Sequence, residues 1–264
     1  MTSVRYDVWG SIATLTLDNP EKRNAITEEL LEQLASGIEA AEADEGVRAI
    51  VLTHTGNTFC AGADLSAQGK GSHELSPEEE QKARSRVSNG VNRLMLESGK
   101  PIVAAIHGHV RAGGMGFVAS CDFVVAGPRA SFGLSEVRIG VVAAIIAPPV
   151  LARLGDRVAA EWMLRGGAVS AEDAAAAGFI TRAVDGEAVT VQQAVDEILA
   201  DLRLAAPRAL AASKRLVNRR VLDRLNRDSD EMIDLSAEFF LGDDAKAGMA
   251  AFLQKTSPPW VVEA

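Results

Sequence analysis

Three short segments concentrate the residues whose types could do chemistry. In residues 131–140 (SFGLSEVRIG) a lone glutamate, Glu136, stands in a fairly apolar stretch just past an expected buried strand. A carboxylate taken out of water there has its pKa raised, which suits proton transfer near neutral pH. Arg138, two residues on, is also available to pair with it, and a paired Glu136 would be structural. In residues 107–116 (HGHVRAGGMG) a glycine pair opens an expected helix. Free N–H donors at the positive end of a helix dipole can hold a phosphate or a developing oxyanion. The same glycines would equally serve close packing of helix on strand. They form neither GxGxxG nor a Walker loop, so a nucleotide-phosphate site has little support. In residues 57–65 (NTFCAGADL) small residues follow a strand and let a ligand approach the backbone amides. A plain strand-to-helix loop would have the same composition.

These segments need a scaffold, and the pattern around them supplies one. Residues 5–9 and 12–18 alternate apolar and polar residues about Gly10 and Ser11, which predicts a β-hairpin. Thr27 caps a helix whose apolar face is Leu30, Leu31, Leu34 and Ile38. Short apolar runs at 47–53, 101–106 and 122–126 read as buried strands, and Pro77 opens a helix reaching about residue 98. After Gly140 the chain reads as almost wholly helical, with helices near 144–153, 158–164, 171–177, 189–204, 207–220 and 228–254. Strands alternating with helices, followed by helices alone, predict an α/β core with a helical tail, divided near residue 200. Such a tail buries itself poorly alone, so it is expected to pack on another subunit. The polar, Gly-rich residues 66–77 read as a surface loop, and His73 and Glu74 within it are candidate polar groups for a site.

At 264 residues, the chain is long enough for one sizeable core or for a domain with a small appendage. Its net charge of -9 argues against nucleic acid as a partner. An anionic ligand would need local positive charge, for which Lys22 with Arg23, the Arg-rich stretch 214–220 and Lys255 are candidates. Cys60 and Cys121 lie in no metal-like or redox spacing and read as buried thiols, and the four histidines form no HExxH pattern, so no metal site is expected. No apolar run approaches a bilayer span, and the first residues lack the layout of a signal peptide, so the expected location is the cytoplasm and no membrane contact is expected.

Taken in order, the segments at 18–26 (DNPEKRNAI), 59–65 (FCAGADL), 100–108 (KPIVAAIHG), 112–116 (AGGMG), 121–122 (CD) and 132–136 (FGLSE) resemble the crotonase (enoyl-CoA hydratase/isomerase) superfamily over most of the chain. The resemblance implies an α/β fold, a spiral of ββα units over 1–200 with a C-terminal helical trimerisation region over 201–264. It implies a homotrimer or dimer of trimers acting on an acyl-CoA thioester. Coenzyme A is then part of the substrate, and no resident cofactor is called for. Ala63 and Gly113 would supply the two backbone N–H groups of an oxyanion hole, each such donor typically worth about 3 kcal/mol of barrier, and Glu136 would be the catalytic acid/base. Lys22, Arg23, Ala25, Ala61, Gly62, Asp64 and Leu65 would cradle the CoA nucleotide and pantetheine. Gly114, Gly116 and Ser135 would stand at the substrate. Phe252 and Lys255 on the last helix would reach CoA, from a neighbouring subunit.

The sequence also departs from that family. Its best-known hydratases carry a second glutamate three residues after the oxyanion-hole glycine. Here that position is Gly116, which cannot transfer a proton. Hydration of a 2-enoyl-CoA must then run through Glu136 alone. Isomerisation of a 3-enoyl to a 2-enoyl thioester needs only one shuttling base, and a non-catalytic acyl-CoA binder needs none. Hydration is favoured, because residues 112–122 and 134–140 resemble bacterial members described as hydratases of branched or glutaconyl-type enoyl-CoAs, which also lack the first glutamate. The apolar residues 141–149, including Val141 and Ala144, are expected to line the pocket of an apolar or branched acyl group.

Overall fold

Gly10, with φ of 59°, turns the chain between β1 (Val4–Trp9) and β2 (Ile12–Leu17), which pair antiparallel as expected. The computed structural model describes residues 3–65, 75–186 and 188–262. His73 and Glu74 lie outside them. α1 (Glu28–Ala43) is capped by Thr27, whose side chain accepts from the Leu30 amide, and it buries the four predicted apolar residues. α2 (Pro77–Glu97) opens with a capping box between Ser76 and Glu79.

Three successive units then repeat one pattern. β3 (Ala49–His54), β5 (Ile102–Ile106) and β7 (Phe123–Ala126) lie parallel in a six-stranded sheet of order β1-β2-β3-β5-β7-β10, completed by β10 (Arg182–Ala183). Each is followed at once by a short strand of a second sheet: β4 (Thr58–Cys60), β6 (His109–Arg111) and β8 (Ser131–Gly133), also mutually parallel, with β9 (Ala168–Ser170) antiparallel at the edge. A helix or helical turn completes each unit: α2, α3 (Gly113–Ser120), and the 3-10 turn Glu136–Ile139 leading to α4 (Ala147–Arg153). This is the ββα spiral. Gly108 is what lets successive units stack so closely, because a Cβ there would lie 2.2 Å from the Asn57 carbonyl oxygen of the preceding unit.

The main core lies between the two sheets and beneath α1 to α4, α5 (Asp156–Arg165) and α6 (Ala171–Ala176). The opposite face of the large sheet buries Val51, Val103, Ala105 and Val125 against Val191, Val195, Leu199 and Leu202 of α7 (Ala188–Leu204), which runs unbroken through residue 200.

Beyond α7 the sequence reading needs correction. The two helices expected over 207–220 and 228–254 are one 35-residue helix, α8 (Pro207–Leu241), then a break at Gly242 and α9 (Asp243–Gln254). α8 also packs on its own core, against α2 and α4. Lys214, expected to contribute exposed charge, is buried: its Nζ lies 2.8 Å from Asp122 and donates to the Met95 and Lys100 carbonyls. Asn218 donates to the same carboxylate and to the Leu96 carbonyl.

Candidate active site

β4, β6 and β8 are neighbours in the small sheet, with Cys60 beside Val110 and Arg111 beside Gly133. Each runs out at its carboxyl end into a candidate residue: Ala63 after Cys60, Gly113 after Arg111, Glu136 after Gly133. Adjacent parallel strands thus deliver all three groups to one edge, where α/β sheets commonly bind ligands. The Ala112 amide donates to the Gly133 carbonyl at 3.0 Å, tying the second and third segments together directly.

The Ala63 and Gly113 amides, the candidate oxyanion donors, are set by backbone geometry. Ile26 bridges Ala63: the Ile26 amide donates to Gly62 O and the Asp64 amide to Ile26 O, so the Ala63 N–H points away from that ladder. Gly113 is the first residue of α3, whose leading amides have no partner within the helix. Neither amide donates to another group among the described residues. Ala112 holds φ 48° and ψ -121°, an uncommon conformation for a residue with a Cβ, which turns the chain sharply into α3. A Cβ built on Gly62 would lie 2.7 Å from Ala112 Cβ and 3.6 Å from the Gly113 nitrogen, so the bare Gly62 backbone is what lets the two segments approach. With Gly62 at φ 88° as well, Gly62→Ala is expected to cost about 2 kcal/mol of stability. The same variant should lose at least about tenfold in turnover, because one donor must move. Urea unfolding and kcat measured on one preparation check both effects, and an unaltered kcat would mean that the segments are not so apposed.

Glu136 opens the 3-10 turn, which Gly140 closes with φ 74° as both the Gly140 and Val141 amides donate to Glu136 O. The side chain is 7% exposed, and Oε2 has no hydrogen-bond partner among the described residues. Arg138 does not pair with it, since its guanidinium donates to the Arg165 carbonyl at 2.9 and 3.0 Å. Burial raises the Glu136 pKa to about 7, opposed only by its own backbone N–H. α9 lies directly on this turn: a Cβ on Gly140 would lie 2.4 Å from the Asp244 backbone, and one on Gly248 2.4 Å from Ile139 O.

The stretch expected to cradle a CoA moiety is assembled around a tight turn. Arg23 and Asn24 both have positive φ, and the buried Asn24 side chain binds the Asn19 amide and the Thr55 and Thr58 carbonyls. Ala61 N donates to Arg23 O, Ala25 N to Lys22 O, and Lys22 Nζ lies 3.4 Å from Asp64. Leu65 packs with Val141, Ala245 and Met249, and Ala144 is buried. Gly114 is needed for α3 to lie on β4, since a Cβ there would lie 2.7 Å from Cys60 Cβ. Ser135, the residue before the turn, is half-buried. Phe252 and Lys255 are exposed at the end of α9 and do not join this site within the single chain.

Gly116 has no room for a longer side chain. Its Cβ would lie 2.5 Å from Ile146 Cγ2 and 3.1 Å from Asn92 Nδ2. Asn92, on α2, is fully buried; its Oδ1 accepts from Ser120 Oγ at 3.4 Å and its Nδ2 has no partner. The sequence reading passed over Asn92 because a single Asn inside a helix carries no motif. The available signal was the polar series Ser85, Asn89 and Asn92 on the buried face of α2.

No group of three or more metal-capable side chains occurs among the described residues, and no helix among them is long and apolar enough to cross a membrane. A family model described as Enoyl-CoA hydratase/isomerase matches residues 7–262. Among solved structures, one titled as an enoyl-CoA hydratase from Mycobacterium avium is 42% identical with a TM-score of 0.89, covering 99% of this chain and 100% of that one. A Thermus thermophilus relative is 33% identical, over 94% of this chain and 97% of its own length. The 2,3-dehydroadipyl-CoA hydratase of Escherichia coli is 28% identical over 94% of each chain.

Proposed function

This chain belongs to the enoyl-CoA hydratase/isomerase family, and from that premise we propose that it adds water across the C2=C3 bond of a 2-enoyl-CoA thioester. The observation that carries the reading is Glu136, a buried carboxyl whose Oε2 has no partner among the described residues, delivered to the same sheet edge as two backbone amides that donate to no other group among them. In this reaction the thioester oxygen accepts from the Ala63 and Gly113 amides. The Glu136 carboxylate takes a proton from water as the water oxygen bonds to C3. The C2=C3 electron pair shifts towards the thioester, whose oxygen gains enolate charge under the two donors. Collapse of the enolate draws the same proton from Glu136 to C2 and restores the carboxylate. One group serves as base and then acid, a task best met by a pKa near the working pH, and a value raised to about 7 suits it.

The buried apolar residues Val141, Ala144 and Ile146 support an apolar or branched acyl group. The cradle at Lys22 to Ala25 and 61–65 supports a CoA carrier. The exposed Phe252, Leu253 and Trp260 at the chain's end support assembly as a trimer, in which Phe252 and Lys255 would reach a neighbour's CoA.

One observation favours a second reading. Gly116 offers no second carboxylate, and a lone base with the same two amides can shift the double bond of a 3-enoyl-CoA. The test is incubation with 2-enoyl- and 3-enoyl-CoAs in D2O, read by mass spectrometry and NMR. Hydration adds one water and one deuterium at C2. A moved double bond at constant water content would make the protein an isomerase, and inertness towards the whole panel would overturn both readings.

A further inference from the structure

The mechanism leaves one buried donor unexplained. Asn92 Nδ2 has no partner among the described residues, although the residue is 0% exposed. Leaving a buried amide donor unmet costs free energy, and native structures seldom do so without a water or ligand to fill the place. The position of this donor says which. It lies 3.1 Å from where a Gly116 Cβ would be, on the flank of α3 one turn beyond Gly113. A helical turn rises about 5 Å, and C3 of a bound enoyl thioester is three bonds from the oxygen held at Gly113. The free N–H therefore falls at the depth of the carbon that accepts water. Gly116 has no side chain to cover the donor, and the neighbouring group there is the Ile146 methyl, 2.5 Å from the same Cβ position, which must give way to admit a water. Ser120 Oγ donates to the other end of the carboxamide at 3.4 Å.

We propose that Asn92 is a further active-site residue, whose side-chain N–H holds the oxygen of the attacking water while Glu136 takes its proton. The proposal rests on the hydration reading. The water accepts from Asn92, donates to Glu136, and uses its remaining lone pair on C3. Nothing is transferred to or from Asn92. It supplies the second point of attachment for the water that a carboxylate at position 116 would otherwise offer, and it does so from a different helix.

The test separates water addition from enolate formation. Asn92→Leu removes the donor at similar size. Hydration kcat should fall 10–100-fold with KM within about threefold. Deuterium exchange at C2 of a 3-enoyl-CoA in D2O needs Glu136 and the amides but no added water, and it should be retained. The melting temperature should be unchanged or raised, since an unmet donor is lost. Asn92→Ala, which only removes atoms, should show the same split if the leucine does not fit. Equal loss of hydration and exchange would make Asn92 structural and overturn the proposal. If the wild type hydrates and the variants hydrate as well as it does, this inference alone falls. If the wild type hydrates nothing, the hydration reading fails and this proposal with it.

Discussion

Glu136→Gln is expected to lower hydration turnover by about 10³-fold, within the span usual for losing a positioned acid/base, and at the same time to make the protein harder to unfold above pH 7. The two effects share one cause. Burial raises the folded carboxyl from 4.5 to about 7. Below pH 4.5 the group is protonated whether the chain is folded or not, and it exerts no bias. As pH climbs towards 7 the unfolded chain releases the proton while the folded one keeps it, so stability declines. Above pH 7 both forms are ionised and the penalty levels off at about 3 kcal/mol. Glutamine carries no such penalty. The gap in melting temperature between variant and wild type should be near zero at pH 4 and reach several degrees at pH 8. For the wild type, kcat/KM should rise with pH to a plateau just above 7, because the water-activating form is the carboxylate. A gap in melting temperature that does not change with pH would show that Glu136 is not held as a destabilised carboxyl.

The second large effect lies outside the chemistry. Lys214→Met should cost 3–5 kcal/mol, roughly the range for breaking a buried ion pair, and so a large part of an ordinary domain's stability. The two side chains are 3% and 10% exposed and lie 2.8 Å apart. Methionine leaves the buried Asp122 carboxyl group with the Ile102 amide and the Asn218 amide group as its donors among the described residues. The double variant Lys214→Met with Asp122→Asn should recover much of the loss, because the stranded charge is then gone. Chemical unfolding of the three proteins settles it: a single-variant loss under about 1 kcal/mol would mean that water reaches the pair.

The long, strongly patterned elements were legible in the sequence. Thr27 with its four apolar followers, the Gly10 hairpin and Pro77 all stand where local chemistry put them. The small sheet was not, although it carries the candidate site. Thr58–Cys60, His109–Arg111 and Ser131–Gly133 are three residues each, too short to show alternation, and their pairing is with distant segments. The division of the tail was missed for the opposite reason. Residues 221–227 (VLDRLNR) are charged enough to read as a break, yet Val221 and Leu225 pack on Leu96 and the helix continues through them. Within the site, the identities of Ala63, Gly113 and Glu136 came from ordered motifs. What the motifs could not supply was context: Arg138 turned away to Arg165, Gly116 sealed by Ile146, and Asn92 facing it unpaired.

The contact between Gly140, Gly248 and their opposing backbones gives the end of the chain a say in its chemistry. Residues more than a hundred positions after Glu136 lie on the turn that bears it, with no side chain between to act as a cushion. The position of the turn that bears that carboxyl is therefore partly written in α9. A chain shortened before residue 243 would keep Ala63, Gly113 and Glu136 but lose the contact that seats this turn, and its glutamate is expected to drift back towards ordinary acidity. Sequence drift or engineering at the tail can thus retune the working pH of the site without touching any residue that meets substrate.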